Sequence, residues 1–310
     1  MVERNDAPRS PESPTRCGYV AIVGAPNAGK STLVNRLVGA KVAIVTPKVQ
    51  TTRARLIAIA VRDTTQLIFV DTPGIFRQTK RRLESAMVQA AWSGAQDADF
   101  VVLLVDARRG LDPDTIAIVE GLKAAGRKAV LALNKVDITK RSSLLGLSRE
   151  LNETAIFTDT FMLSALDGSG VSDLEAMLAA ALPEGPWLYP EDQLADISER
   201  LLAAEITREQ LFLELHQELP YALTVETEDW QERPDGSARV QQVIYVTRET
   251  HKGMVLGKGG RMVKRVGARA REELGRALGR EVHLFLFVKV RPHWLDDPER
   301  YREMGLEYPR

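Results

Sequence analysis

Residues 18–31 read GYVAIVGAPNAGKS and decide the fold of the first part of the chain. Residues 18–24 form a short apolar run that ends in glycine, as a buried parallel strand does before a loop. Apolar residues then recur at helical spacing up to residue 39. A strand, a glycine loop and a helix in this order are typical of a phosphate-binding loop, in which a lysine meets the β- and γ-phosphates and a hydroxyl meets Mg²⁺. The residues predicted to form this loop are Gly24, Ala25, Pro26, Asn27, Ala28, Gly29, Lys30 and Ser31.

Further strands and helices alternate after this loop. Strands are predicted from apolar runs at residues 55–61, 66–70, 100–105, 130–133 and 157–163. The alternation predicts an α/β domain with a doubly wound, mostly parallel sheet and the ligand at the carboxyl ends of the strands. We assign residues 17–183 to this domain. The preceding residues 1–16 carry charges and prolines without an apolar stretch, and they are predicted to be a disordered tail.

Two polar motifs are expected beside the phosphate loop. Asp71, Thr72, Pro73 and Gly74 follow an apolar strand, so the carboxylate is predicted at the sheet edge, where it can hold Mg²⁺ through water. A plain strand-ending turn is the alternative for this tetrapeptide taken alone. Thr51 and Thr52 lie in a polar stretch, and we expect Thr52 to complete the metal shell; a solvated loop is the alternative. The predicted metal ligands are Ser31, Thr52 and Asp71.

A second pair of motifs indicates which base is bound. Asn134, Lys135, Val136 and Asp137 follow a buried strand, and Asp137 is predicted to accept two hydrogen bonds from the N1 and N2 donors of guanine. Adenine lacks that donor pair, so it would leave the carboxylate unpaired. We expect Lys135 to lie along the base and Asn134 to tether the loops. Ser164, Ala165 and Leu166 follow the next strand and would offer a backbone N–H to guanine O6, although this tripeptide alone has almost no specificity.

The order of elements changes after residue 183. Residues 184–192 contain prolines and a glycine and are predicted to be a linker. Residues 193–300 predict a smaller α+β domain in an α-β-β-α-β series, and residues 301–310 are predicted to be a C-terminal tail.

The smaller domain contains a glycine loop, GKGG at residues 257–260, which is predicted to lie between a strand and a basic helix. A glycine hairpin before a solvated helix is the alternative for this loop taken alone, but the basic side chains clustered around it favour RNA. The residues predicted to contact RNA are Lys252, Gly257, Lys258, Gly259, Gly260, Arg261, Lys264 and Arg265. Residues 248–291 hold 12 basic and 4 acidic side chains, whereas residues 197–235 are acidic, so charge is segregated as expected when one face meets phosphate.

The nucleotide motifs of the first domain resemble those of the translation-factor-like GTPases, in the branch that has Thr-Thr-Arg (here residues 51–53) and Asp-Thr-Pro-Gly (here residues 71–74). In that branch a hydrophobic residue follows the glycine, and here it is Ile75. Ile75 cannot orient water by hydrogen bonding, so intrinsic hydrolysis is expected to be slow and to need a group from elsewhere. No residue is assigned as the catalytic base. The G-x-x-G loop of the second domain resembles the KH fold, in which such a loop clamps single-stranded RNA.

A P-loop GTPase domain followed by a KH-like domain resembles the Era-type ribosome-assembly GTPases, and the resemblance covers residues 18–300. It implies a GTP/GDP switch with Mg²⁺ as cofactor that binds 16S ribosomal RNA and assists assembly of the 30S subunit. It also implies a protein that is monomeric or loosely self-associating and that contacts the inner membrane peripherally.

The amino-acid composition limits which classes of protein this chain can belong to. The 310 residues are 44% hydrophobic and 27% charged with a formal net charge of zero, which excludes a wholly basic nucleic-acid binder. The single cysteine, Cys17, forms no intramolecular disulfide and fits a reducing cytosol. The longest apolar run, residues 100–105, is too short to span a bilayer. One alternative is a signalling GTPase whose acidic C-terminal helix recognises a protein or the membrane. An ATPase or kinase would share the phosphate loop but not the motif at 134–137.

Overall fold

The computed structural model describes residues 14–309 apart from residues 54, 78 and 80. Its larger sheet has six strands in the order β2-β3-β1-β4-β5-β6, in which β2 is antiparallel to β3 and the remaining neighbours are parallel. The strands are β1 (Arg16–Val23), β2 (Leu56–Arg62), β3 (Thr65–Asp71), β4 (Phe100–Asp106), β5 (Ala129–Asn134) and β6 (Phe157–Leu163). The predicted doubly wound α/β class is confirmed.

Five helices cover the two faces of this sheet. They are α1 (Lys30–Val38), α2 (Arg82–Asp97), α3 (Pro113–Ala124), α4 (Arg141–Asn152) and α5 (Val171–Ala181). Buried side chains of α1 and α5 form one apolar core with the sheet, and those of α2, α3 and α4 form a second core on the opposite face. Of the five predicted nucleotide motifs, four follow β1, β3, β5 and β6, and the fifth lies between α1 and β2. Because the strands after which they come are parallel, these loops meet at one edge of the sheet.

The second unit packs helices on one face of a three-stranded sheet, ordered β7-β8-β9. Its elements are α6 (Glu199–Glu214), β7 (Leu223–Glu232), β8 (Ala238–Val246), α7 (Glu249–Leu256), α8 (Arg261–Leu278) and β9 (Val282–Val290). β7 and β8 are antiparallel, whereas β8 and β9 are parallel. The smaller α+β unit with a KH-like order is therefore confirmed as a class.

One expectation about this unit is wrong. The glycine loop does not follow a strand, because helix α7 lies between β8 and the loop. Lys252 is on α7, not in the loop. The helix has eight residues and Val255 is its one fully buried side chain, so its sequence carries almost no apolar periodicity from which a helix could be predicted.

The segment between the two units and the start of the described chain both contact the larger sheet. Residues 184–192, predicted as a linker, lie along it, where the backbone N–H groups of Leu188 and Tyr189 donate to Gln66 Oε1 at 2.9 and 3.1 Å. Of the predicted N-terminal tail, residues 1–13 lie outside the described residues and Arg16 opens β1.

The boundary predicted at residue 300 falls inside a helix. Helix α9 (Pro298–Glu303) crosses it, and Tyr301 and Leu306 are buried against Leu83 and Met87 of α2. Residues 301–309 therefore pack on the larger unit and do not form a separate tail, since buried apolar side chains hold them there. None of the helices in the described part of the chain has the length and apolar character needed to cross a membrane.

Candidate functional site

The phosphate loop connects β1 to α1 and is held open by glycine geometry. Gly29 has φ of 105°, in the left-handed region, and a Cβ there would lie 2.3 Å from the side-chain nitrogen of Asn134. A larger residue would therefore be strained and would also displace Asn134. α1 begins at Lys30, so the unpaired N–H groups of its first turn face the same pocket as the loop.

Lys30 is the buried cation of this loop. Only 7% of the residue is exposed, and its ammonium donates to the carbonyl oxygens of Gly24 and Ala25 at 3.0 and 3.1 Å. Burial lowers the pKa of Lys30 to about 8, although the charge of Asp71 opposes this shift. A phosphate chain in the loop would supply the negative charge that this ammonium lacks, so the site favours an anionic ligand.

The three predicted metal ligands are brought together. The Ser31 hydroxyl donates to Asp71 Oδ2 at 2.7 Å, Ser31 Oγ lies 2.8 Å from Thr52 Oγ1, and Thr52 donates to Asp71 Oδ2 at 3.4 Å. Asp71 is fully buried, and its other oxygen, Oδ1, has no hydrogen-bond partner among the described residues. Burial raises the pKa of this carboxyl.

This arrangement fits Mg²⁺. An orphaned carboxylate oxygen and two hydroxyls are hard oxygen donors, and Mg²⁺ in nucleotide sites takes one or two carboxylates together with phosphate oxygens and water. No cluster of three or more His, Cys, Asp or Glu side chains with metal-binding geometry occurs in the described ranges. The site thus offers a partial shell that a nucleotide would complete.

The segment after β3 is fixed against the phosphate loop. The Thr72 hydroxyl donates to the Ile22 carbonyl at 2.8 Å, and the Ile75 N–H donates to the Gly24 carbonyl at 3.2 Å. Pro73 is buried and Gly74 lines the phosphate pocket. The Ile75 side chain is 3% exposed and packs in the apolar core beside α2. It therefore offers no group that could hold a water molecule.

The motif at 134–137 divides into tethering and exposed residues. Asn134 is 2% exposed; its Nδ2 donates to the Ala28 carbonyl at 2.7 Å, and its Oδ1 accepts from the Ala165 N–H at 2.9 Å. Lys135 donates to the Asn27 carbonyl at 2.7 Å and to Asp106 Oδ2 at 2.6 Å. Val136 and Asp137 begin a short 3₁₀ turn. Asp137 is exposed, so its carboxylate is accessible to a ligand.

The loop after β6 lies beside the same site. Ser164 and Ala165 are buried, whereas Leu166 is 72% exposed. Because the Ala165 N–H is already bonded to Asn134, it is not free for guanine O6 in this state. The role of this tripeptide in base recognition stays a prediction.

Two contributors to the site were not predicted. Asp106 ends β4 and pairs with Lys135, so a strand-terminal carboxylate at the same sheet edge was the signal that could have found it. Arg36, on the last turn of α1, donates to the carbonyl oxygens of Ala165 and Leu166. No local sequence pattern identifies Arg36, because its partners lie about 130 residues further along the chain.

The glycine loop of the second unit lies between α7 and α8. Gly257, Gly259 and Gly260 have φ of 70°, 63° and 74°, which side chains rarely adopt, and a Cβ at Gly257 would lie 2.7 Å from Met262 Cβ. The predicted basic side chains surround it, and the exposed ones are Lys258, Arg261, Lys264 and Arg265.

The cations around this loop differ in their partners. Arg265 forms an ion pair with Glu214 at 2.8 Å, whereas Lys258 and Lys264 have no acidic partner among the described residues. Met254, on α7, is 59% exposed beside them. An exposed apolar side chain next to unpaired cations suits a ligand that has both bases and phosphates.

A phosphate loop, a buried cluster of oxygen ligands and a loop tethered by Asn134 on a doubly wound sheet define a P-loop GTPase, here joined to a KH-like unit. Comparison with known families agrees: a family described as 50S ribosome-binding GTPase matches residues 19–135, and the KH domain family matches residues 218–295.

Similar curated proteins include the GTPase Era of Sinorhizobium medicae, which is 59% identical over 297 residues that cover 96% of each chain. The GTPase Era of Brucella suis is 58% identical over 295 residues, covering 95% of this chain and 94% of that one. A crystal structure of an Aquifex aeolicus Era variant bound to GDP·AlF4⁻ superposes with a TM-score of 0.88 at 37% identity, over 94% of this chain and 99% of that chain. A structure of Era with MgGDPNP and nucleotides 1506–1542 of 16S ribosomal RNA gives the same values. The chain belongs to the Era family of GTPases.

Proposed function

We propose that this chain is a GTP-hydrolysing switch that binds 16S ribosomal RNA near its 3′ end and assists assembly of the 30S subunit. The observation that carries the proposal is that the loop bearing Thr52 packs directly against α6 of the KH-like unit, so one chain links a nucleotide site to a basic glycine loop. The similar Era structure that contains nucleotides 1506–1542 supports the choice of RNA.

The nucleotide roles follow from the geometry. Lys30 and the N–H groups at the start of α1 would bind the phosphates, and Asp137 would accept from the guanine edge while Asn134 holds the surrounding loops. Ser31, Thr52 and Asp71 would hold Mg²⁺. When bound, Mg²⁺ would neutralise negative charge on the β- and γ-phosphates. Because Ile75 is apolar and buried, we expect slow intrinsic hydrolysis and a water-positioning group supplied from elsewhere.

The acidic face of α6 suggested the alternative of a protein-binding or membrane-binding domain. Its carboxylates are instead occupied inside the molecule. Glu209 accepts from Lys41 and from the Val45 N–H, and Glu214 pairs with Arg265 and Arg269. The observation that motivated the alternative is therefore accounted for by contacts within the chain.

We place the protein in the cytoplasm as a monomer. The buried, unpaired Cys17 supports a reducing compartment. Peripheral contact with the inner membrane rests on the family resemblance alone.

The RNA half of the proposal is tested by titrating a single-stranded RNA that carries the 3′-terminal sequence of 16S ribosomal RNA. Gly257→Asp and Gly260→Asp introduce backbone strain and negative charge in the loop, so we expect affinity to fall at least about tenfold. The matched control is Gly236→Asp, which also lies at positive φ, 82°, but in the turn between β7 and β8. Wild-type affinity should fall with salt, with a slope of about −0.7 for each neutralised phosphate on a single strand. Unchanged affinity in both loop variants would contradict RNA binding at this loop.

A further inference from the structure

Helix α6 of the KH-like unit holds the end of the loop that carries Thr52. Arg208 is 1% exposed, and its Nη1 donates to the Gln50 carbonyl at 3.4 Å while Nη2 donates to the Thr51 carbonyl. Glu205, one turn earlier, accepts from Arg208 Nε at 2.8 Å and fixes the plane of the guanidinium. The same guanidinium lies 5.1 Å from the centre of the Phe212 ring. Arg208 is thus a rigid fork directed at the backbone next to Thr52.

The neighbouring residue on α6 holds the start of the same loop. Glu209 is 3% exposed; its Oε1 accepts from the Val45 N–H at 2.8 Å and its Oε2 from Lys41 Nζ at 2.6 Å. Lys48, in the middle of the loop, donates to the Phe212 carbonyl. We call residues 41–53 the threonine loop. Arg208 and Glu209, two successive residues of opposite charge, therefore bind the two ends of this loop. Glu209 accepts from an N–H group and an ammonium at its start, and Arg208 donates to two carbonyl oxygens at its end.

The residue after Thr52 contacts the KH-like unit in the opposite sense: the side chain belongs to the loop and the carbonyl oxygens belong to the other unit. Arg53 is 2% exposed and donates to the carbonyl oxygens of Leu223 and Pro220, at 2.8 and 3.2 Å, in the KH-like unit. Its guanidinium lies 5.6 Å from the centre of the Phe212 ring and 5.7 Å from that of Trp294. Thr52 is therefore flanked on both sides by backbone or side chain anchored to the other unit. The backbone of Thr52 therefore cannot move away from Ser31 and Asp71 without disturbing these anchors.

We propose that Arg208 is a positioning residue of the nucleotide site: from the KH-like unit it holds Thr52 where the hydroxyl can complete the Mg²⁺ shell of bound GTP. The inference rests on the proposed function, because it assumes GTP and Mg²⁺ at this site. In GTPases the γ-phosphate and its Mg²⁺ order such loops, and hydrolysis releases them. A contact that favours the ordered loop therefore favours GTP over GDP by its differential free energy, and the coupling acts equally in both directions.

The test measures how strongly each variant prefers GTP. Affinities for fluorescent GDP and for a fluorescent non-hydrolysable GTP analogue are measured with Mg²⁺ and with EDTA, for wild type, Arg208→Met and Arg208→Lys. Methionine keeps the packing on Phe212, and lysine keeps the charge opposite Glu205 but lacks the planar fork that binds Glu205 and the two carbonyls at once. The matched control is Arg200→Ala, on the same helix, because the hydrogen bonds that Arg200 donates among the described residues go to the Thr227 and Glu228 carbonyls within the KH-like unit.

We expect Arg208→Met to lose about tenfold of its Mg²⁺-dependent affinity for the GTP analogue, within the range usual for coupled sites. Its GDP affinity and the Arg200→Ala affinities should stay within about twofold of wild type. Arg208→Lys should fall between wild type and Arg208→Met. Equal losses for GDP and the GTP analogue would mean a merely structural role and would overturn the proposal, as would an unchanged ratio.

Two further outcomes are distinguishable. If Arg208→Met leaves Glu205 unpaired and unfolds, the comparison is made with the double variant Glu205→Gln, Arg208→Met, which removes both charges, and with Arg208→Lys; a wild-type ratio in either then overturns the proposal. If wild type itself shows no Mg²⁺-dependent preference for the GTP analogue, the proposed function fails and not the role of Arg208 alone.

Discussion

Asn134 joins the phosphate loop to the loop after β6, and its removal should weaken the GTPase unit as well as nucleotide binding. The residue is 2% exposed, with one hydrogen bond to the Ala28 carbonyl and one from the Ala165 N–H. Asn134→Ala deletes both and leaves a carbonyl and an N–H group buried without partners. A buried polar group left without its partner destabilises a protein by about 1–3 kcal/mol, so we expect a total of about 2–6 kcal/mol.

The assay is thermal or urea unfolding of the nucleotide-free protein. A loss of this size should lower the melting temperature by roughly 10 °C, since about 1 kcal/mol corresponds to 2–4 °C for units of 150–250 residues. Affinity for GDP should fall as well, because the two loops would lose their common tether. Asn152→Ala is the control: Asn152 is exposed on α4 and also bonds through its amide, to the Ser148 carbonyl at 2.8 Å. If Asn134→Ala melted within 1–2 °C of Asn152→Ala, the assignment of Asn134 as a buried tether would be refuted.

The other residues of the site and the C-terminal segment give three further predictions. Asp137→Asn should shift preference from guanine to xanthine nucleotides in a competition assay without changing the melting temperature, because Asp137 is exposed; an unchanged preference would count against guanine recognition. For Lys30 the folded pKa is about 8 and the ordinary value 10.5, so unfolding takes up a proton between these values. Nucleotide-free wild type should therefore gain stability relative to Lys30→Met as pH rises from about 8 to 10.5 in urea titrations, and a constant difference would contradict the burial of the charge. Tyr301→Ala should destabilise the contact of the C-terminal segment with α2 by about 3–4 kcal/mol, since Tyr301 is 1% exposed, and should speed proteolysis there, whereas exposed Arg302→Ala should not.

The sequence was sufficient for the larger sheet and its loops because each signal is local. A buried parallel strand is an apolar run, and the motif after it lies at the sheet edge wherever the rest of the chain goes. Asp71 and Asn134 could therefore be placed from their positions after apolar runs. In contrast, α7 was missed because one buried residue in eight gives no helical period.

Contacts between the two units could not be predicted for a different reason. Arg208 bonds to the carbonyl of Thr51, 157 positions away, and any of the exposed-looking arginines of α6 and α8 could have filled that role on sequence grounds alone. The acidic character of α6 was visible, but the partners of Glu209 were not. Long-range pairing of charged side chains depends on how two folded surfaces meet, and no periodicity records it.

The contact between the threonine loop and α6 is polar, and a polar contact of this kind can separate at a modest cost in free energy. Arg53 and Arg208 are both nearly fully buried, and burial, followed by the charge of Arg208, lowers the pKa of Arg53 to about 9. Taking guanidinium groups out of water is unfavourable, and hydrogen bonds to carbonyls offset only part of that penalty. On separation these groups regain hydration, so the two states differ less in free energy than they would across an apolar interface of equal size. The contact of Tyr301 and Leu306 with α2 is apolar and has no such compensation. A bound ligand redistributes two conformations when their free energies differ by a few kcal/mol. We therefore expect a change at the γ-phosphate to alter the polar contact between the threonine loop and α6, and not the apolar contact of the C-terminal segment.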